Sequence, residues 1–173
     1  MIDTKYLKYY GCDLDDKGLY WGGVTYTKQM VEEYPDIETS VTTSTAGTIV
    51  FLFPKIESIT YIDGLVKGNF KIHNDTGSGI TLSNFTITLK KYDIGNTETT
   101  LVSFYFTDVS NTVGDGEWLN VPFEFNCDRQ IIYPYERLTV SLQTISSNFK
   151  ICHDIDTKWG NDFSIELPIA IEM

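Results

Sequence analysis

ITLSNFTITLKKY, residues 80–92, decides how the chain is read. Ile80 and Leu82 fall on one face of an extended strand, whereas Phe85, Ile87 and Leu89 carry the apolar side further on, opposite Thr86, Thr88 and Lys90. Strand side chains alternate faces, so a slip in parity needs one extra residue. That places a β-bulge near residues 83–84. β-Branched and aromatic residues dominate and no helical period fits. A second apolar run, TTLVSFYFT at 99–107, follows a short turn and is apolar on both faces, as in a strand covered on both sides. Residues 80–92 are thus expected to form the central strand of an all-β domain.

Working outward, strand patterns recur with turn residues between them. TIVFLFP ends at Pro54, and IESITYI (56–62) alternates into Asp63-Gly64, a tight hairpin signal. VKGNFKIH leads to the turn-forming NDTGSG at 74–79. WLNVPFEFN points Leu119, Val121, Phe123 and Phe125 inward, and Pro122 demotes it to an edge or a bulge. ERLTVSLQT puts Leu138, Val140 and Leu142 inside. FKICHD and FSIELPIAI close the chain, with Pro168 again marking an edge. About nine strands with almost no helix predict an antiparallel two-sheet sandwich, jelly-roll or immunoglobulin-like, over residues 48–173.

Residues 1–47 read differently. Aliphatics are sparse, tyrosines frequent, and Gly11, Gly18, Gly22 and Gly23 interrupt any long element. A short helical turn fits from Thr27 to Glu33, ahead of Pro35. The segment is expected to be an irregular arm, mostly extended or loop, burying Tyr6, Tyr9, Tyr10, Tyr20, Trp21 and Tyr26 against another chain. Ordering a residue costs roughly 1–2 kcal/mol of backbone entropy, which such a segment recovers poorly alone. Removing residues 1–40 is then expected to leave a folded sandwich that no longer assembles.

A net charge of -11 disfavours nucleic-acid and anionic-membrane partners. Cys12, Cys127 and Cys152 are odd in number and widely spaced, without a CxxC pair, so neither a disulfide framework nor structural zinc is indicated. The N-terminus lacks an apolar signal region and no run reaches membrane-spanning length, which points to synthesis in the cytoplasm.

Catalytic patterns are sparse. His73 and His153 end strands, and Cys152-His153-Asp154 is contiguous, so strand alternation sends its neighbours to opposite faces. No nucleophile elbow or phosphate loop is present. Asp13 and Asp15 in one loop, and Asp154 and Asp156 in another, are acidic enough to weigh as calcium ligands. The first loop puts Lys17 at a ligand position and the second lacks the sharp-turn glycine, so no metal is expected and solvated turns are the simpler reading. Glu117, Glu124, Asp128 and Glu136 are carboxylates from which no glycosidase pair can be picked. Trp118 and Trp159, like Trp21, border glycine or acidic loops, where an indole can stack on a sugar face, plug the sandwich or anchor a subunit.

IHNDTGSGITLSNFTITLKKYD followed by WLNVPFEFNCDRQIIYPYERLTVSLQT resembles the small β-sandwich structural proteins of virus and phage particles. The resemblance spans residues 48–171 at most. It implies a non-enzymatic virion component without cofactors, decorating or stabilising a capsid through its arm and sheet edges. Its implied partners are other copies of itself or a major capsid protein. The alternative expectation is a carbohydrate- or receptor-binding module that stacks its ligand on Trp118 or Trp159.

Overall fold

The computed structural model describes residues 4–13, 19–21, 23–26, 28–32, 42–44, 48–74, 77–81, 85–106, 112–144, 149–152 and 163–171. All regular structure among them is β. The strands are β1 (Thr4–Asp13), β2 (Leu19–Trp21), β3 (Val24–Tyr26), β4 (Lys28–Val31), β5 (Thr42–Ser44), β6 (Thr48–Leu52), β7 (Thr60–His73) and β8 (Ile80–Thr81). They continue with β9 (Phe85–Tyr92), β10 (Glu98–Tyr105), β11 (Thr112–Val113), β12 (Trp118–Ile132), β13 (Arg137–Thr144), β14 (Phe149–Cys152) and β15 (Ser164–Ile171).

Eleven strands form one sheet, ordered β10-β9-β13-β6-β4-β1-β15-β7-β14-β5, with β12 paired to the other side of β7. Two small ladders, β8 with β11 and β2 with β3, stand apart. The sheet is antiparallel except where β4 meets β6 at Gln29 and Leu52. It curls until its ends approach: Phe104 of β10 stacks on Phe125 of β12 at 5.4 Å between centroids. Phe70 of β7 meets Phe85 of β9 across the interior at 6.0 Å. Phe51, Phe70, Phe163, Ile62, Ile87 and Leu89 are fully enclosed there. The result is one mixed, nearly barrel-shaped sheet in place of two separate ones.

The stretch read as one bulged strand divides in two. Ile80–Thr81 pairs with β11 in its own ladder, and Phe85–Tyr92 lies between β10 and β13 in the main sheet. The parity slip therefore separates two ladders; residues 83–84 themselves lie outside the described residues. Strand β10 was expected to be covered on both faces, but it is an edge whose Leu101, Val102 and Phe104 are half-buried. Inward positions of β12 and β13 fall as expected, with Val121, Phe123, Phe125, Leu138, Val140 and Leu142 all buried.

Asp63-Gly64 makes no hairpin. Strand β7 runs straight through it, and its partner β12 absorbs the irregularity as a register shift between Cys127 and Gln130. Gly64 takes φ +125 there, open to glycine but strained for other residues. Pro168 sits in an inner strand, not an edge. It pairs with Tyr6 of β1, while the β15–β7 ladder on its other side has a gap between Glu166 and Ile169.

The expected helical turn from Thr27 is strand β4, which inserts between β1 and β6 and buries Met30. Strand β1 is likewise internal, hydrogen-bonded to β15 along residues 4–10 and to β4 along residues 10–13.

Candidate functional site

Strand ends gather around one cleft. Strand β6 leaves the sheet after Leu52, and the chain crosses the gap as an irregular segment from Phe53 to Ile59. Three contacts fix that crossing. Phe53 N–H donates to the Leu138 carbonyl at 2.9 Å, Arg137 Nη2 donates to the Phe53 carbonyl at 3.0 Å, and Thr60 Oγ1 donates to the Ser58 carbonyl at 3.0 Å. Pro54 lacks an N–H and cannot extend the ladder. A cleft of about 320 Å³ remains beneath the segment. That lies at the small end of the usual range for ligand sites.

Its apolar wall comes from Leu7, Ile56, Ile62, Ile132, Leu138 and Ile169, contributed by five strands and the crossing segment. Its polar groups are Tyr9, Glu32, Lys55, Glu57, Ser58 and Thr60. Glu32, Lys55 and Glu57 are exposed at the rim, whereas Tyr9 is only 6% exposed. The Tyr9 ring packs edge-on against Phe53 at 5.0 Å. Burial, helped by the negative charge of Glu32, pushes its phenol up to about 12. Tyr9 therefore stays protonated at neutral pH, able to donate one hydrogen bond and accept another. Among the described residues its hydroxyl has no hydrogen-bond partner.

A second cluster is architectural. The Arg137 guanidinium lies 5.4 Å from the Trp21 ring and anchors the β2–β3 hairpin. Arg137 Nε and Trp21 Nε1 are both buried without a partner among the described residues. Tyr26, buried nearby, is held above its ordinary value by desolvation, with the Arg137 charge acting against that.

The structure scatters the other candidates. Tyr6 and Tyr20 are 56% and 74% exposed, Tyr10 is half-buried under the Lys8 ammonium, and Tyr26 packs in the core of its own chain. Trp118 opens β12 opposite His73. Asp13 ends β1; Asp15, His153, Asp154, Asp156 and Trp159 lie outside the described residues. Among the described residues no three His, Cys, Asp or Glu side chains come together as metal ligands would. Glu117 accepts from the Gly114 N–H at 3.0 Å, and Glu136 from Lys91 and from the Tyr133 N–H, so both serve turns. Sequence reasoning singled out Tyr9 but missed the cleft, because residues 56–62 alternate like a strand. Pro54 and the apolar residues on both faces of that stretch were the available signals.

No family model and no curated protein matches the chain. Solved structures do. A CocE/NonD family hydrolase from Staphylococcus aureus aligns with TM-scores of 0.67 and 0.68 in two crystal structures, at 9% identity over 96% of this chain. An aminopeptidase from a marine sediment archaeon, Thaumarchaeota archaeon, aligns with a TM-score of 0.69, at 9% identity over 95% of this chain. The chain spans 36–37% of the length of these proteins. At such identity the likeness shows the fold alone. It still corrects the expected kinship with virion β-sandwich proteins, since the matching folds are those of hydrolases. The expectations of capsid decoration, virion localisation and a non-enzymatic role fall with it. They rested on strand pattern, which unrelated β folds share.

Proposed function

We propose that the chain is the β-domain of a hydrolase and that its cleft holds the apolar part of the substrate. The carrying observation is the lopsided coverage: nearly all of this chain superposes on about a third of each hydrolase. A unit of that size within a larger enzyme has a natural task in shaping and holding substrate. The cleft supports this reading, because an apolar wall with a few convergent polar groups is the usual make-up of a small-molecule site. The two halves of the curled sheet, facing each other through Phe70 and Phe85, act in this reading as the two faces of a sandwich with the cleft at its end.

Affinity-tagged chain purified from its native cells tests the proposal. The preparation should hydrolyse p-nitrophenyl esters or aminoacyl p-nitroanilides. Ile56→Trp, which fills the cleft from a half-buried loop position, should lower kcat/KM at least tenfold without changing the melting temperature. Absence of hydrolysis in the preparation, or hydrolysis indifferent to the filled cleft, overturns the reading.

A further inference from the structure

Resting on the reading of the cleft as the ligand site, we infer that it selects ligands carrying a primary ammonium on a compact apolar body. Three observations converge. The wall formed by Ile56, Ile62, Ile132, Leu138 and Ile169 offers no polar group to a ligand's interior, so the body it takes is aliphatic or alicyclic. The cleft volume of about 320 Å³ suits a small one.

The polar side is biased toward cations. Two carboxylates, Glu32 and Glu57, face one ammonium, Lys55, around the rim. The whole chain adds a field of the same sign, with a net charge of -11. An ammonium offers three donors and no acceptor, and the groups there that accept are carboxylates and a phenol.

Tyr9 is the independent pointer. It is more than nine-tenths buried, lines the cleft, and its hydroxyl has no partner among the described residues. The hydroxyl opens onto the cleft, where a ligand can take up its free donor and acceptor positions. The Glu32 charge acts on the same hydroxyl. The phenol oxygen can accept from an incoming N–H while the Glu32 charge attracts the ammonium. A ligand carboxylate meets Glu32 and Glu57 instead and is repelled, while an alcohol makes the Tyr9 bond without the charge attraction.

Three probes with one shared body separate these cases: cyclohexylmethylamine, cyclohexylmethanol and cyclohexanecarboxylate. Calorimetric titration and amide chemical shifts at pH 7.5 should show saturable binding of the amine, with the shifts concentrated at Tyr9, Ile56 and Thr60. The alcohol should bind at least fivefold more weakly and the carboxylate at least tenfold more weakly. Glu32→Gln should abolish the preference of amine over alcohol. Tyr9→Phe, which keeps the ring, should weaken both. Glu124→Gln, exposed on β12 away from the cleft wall, removes the same unit of charge and should leave the preference intact. Equal binding of the three probes, binding of none, or equal losses in Glu32→Gln and Glu124→Gln overturns the inference. Binding is read without turnover. Amine selectivity in a preparation that hydrolyses nothing removes only the hydrolase reading, and hydrolysis without amine preference removes only this one.

Discussion

Gly68 faces Phe123 across the β7–β12 ladder, and the tip of the ring occupies the space a side chain would take. A Cβ at residue 68 would fall on the Phe123 ring and on the Ser164 carbonyl oxygen of the strand on the other side. One obstacle is a buried aromatic and the other is backbone, so neither yields cheaply. Gly68→Ala is expected to destabilise the fold by about 3 kcal/mol, the upper part of the usual cost of overpacking. Urea denaturation measures it, and a change under about 0.5 kcal/mol would show that the close approach is not real. Tyrosine ionisation gives a second test at this scale. Burial and Glu32 raise Tyr9 to about 12 from an ordinary 10.0. Tyr92 is raised by burial and then by its hydrogen bond to the Glu98 carboxylate, and Tyr26 by burial. The folded chain thus holds these protons more tightly than the unfolded chain does. Unfolding releases protons once pH exceeds the unfolded value, so the stabilisation is complete below about pH 10 and is lost as pH climbs toward 12. Denaturation midpoints should fall steeply between pH 10 and 11.5, and Tyr9→Phe should flatten that slope. A variant with the parent's slope would contradict the assignment.

Strand β1 is the element whose role most changes the picture of the molecule. It separates β4 from β15 and carries Tyr9 and Cys12 into the interior. Deleting residues 4–13 would leave two unpaired strand edges and an open flank in the core. The deletion is expected to abolish cooperative unfolding, read by circular dichroism and by exposed hydrophobic dye binding. A soluble product with a sharp transition would instead support a separable arm. Sequence pattern anticipated the inward faces of β12 and β13 well, because each has an apolar face matched to one period, but it took β15 for an edge. It did not reveal β1, whose TKYLKYYGCD is poor in aliphatics and whose partners lie at residues 28–31 and 164–170. Strand formation there is decided by neighbours far away in the chain, and local propensity carries little of that information. Strand β4 illustrates the same point: a capping threonine and a following proline suggest a helical turn, yet ladders on both sides override it. The cleft was illegible for a related reason. Its wall takes residues from β1, β7, β12, β13 and β15, and only the curled topology brings them together.

At the scale of the whole molecule, the two ends of the curled sheet are brought together by side chains. Strands β10 and β12 face each other at the ends of the curled sheet and share no ladder among the described residues. Aromatic packing bridges them: Phe104 stacks on Phe125 at 5.4 Å with planes 14° apart, and Phe106 meets Phe104 edge-on at 5.1 Å. Phe123 extends the row at 6.0 Å from Phe125 and leads to the buried Phe70. If this row joins the two ends, Phe104 and Phe125 must act as a pair. Phe104→Ala, at a half-buried edge position, is expected to cost about 2 kcal/mol, and Phe125→Ala, more deeply buried, about 3 kcal/mol. The double variant should cost about 1 kcal/mol less than the sum, the coupling typical of stacked aromatic pairs. Additive losses would mean that β10 is held by β9 alone and that the curl is a consequence of twist. Hydrogen exchange provides the matching dynamic readout: in Phe125→Ala, amides of β10 should lose protection before those of β13, since among the described residues β10 has one ladder neighbour and β13 has two.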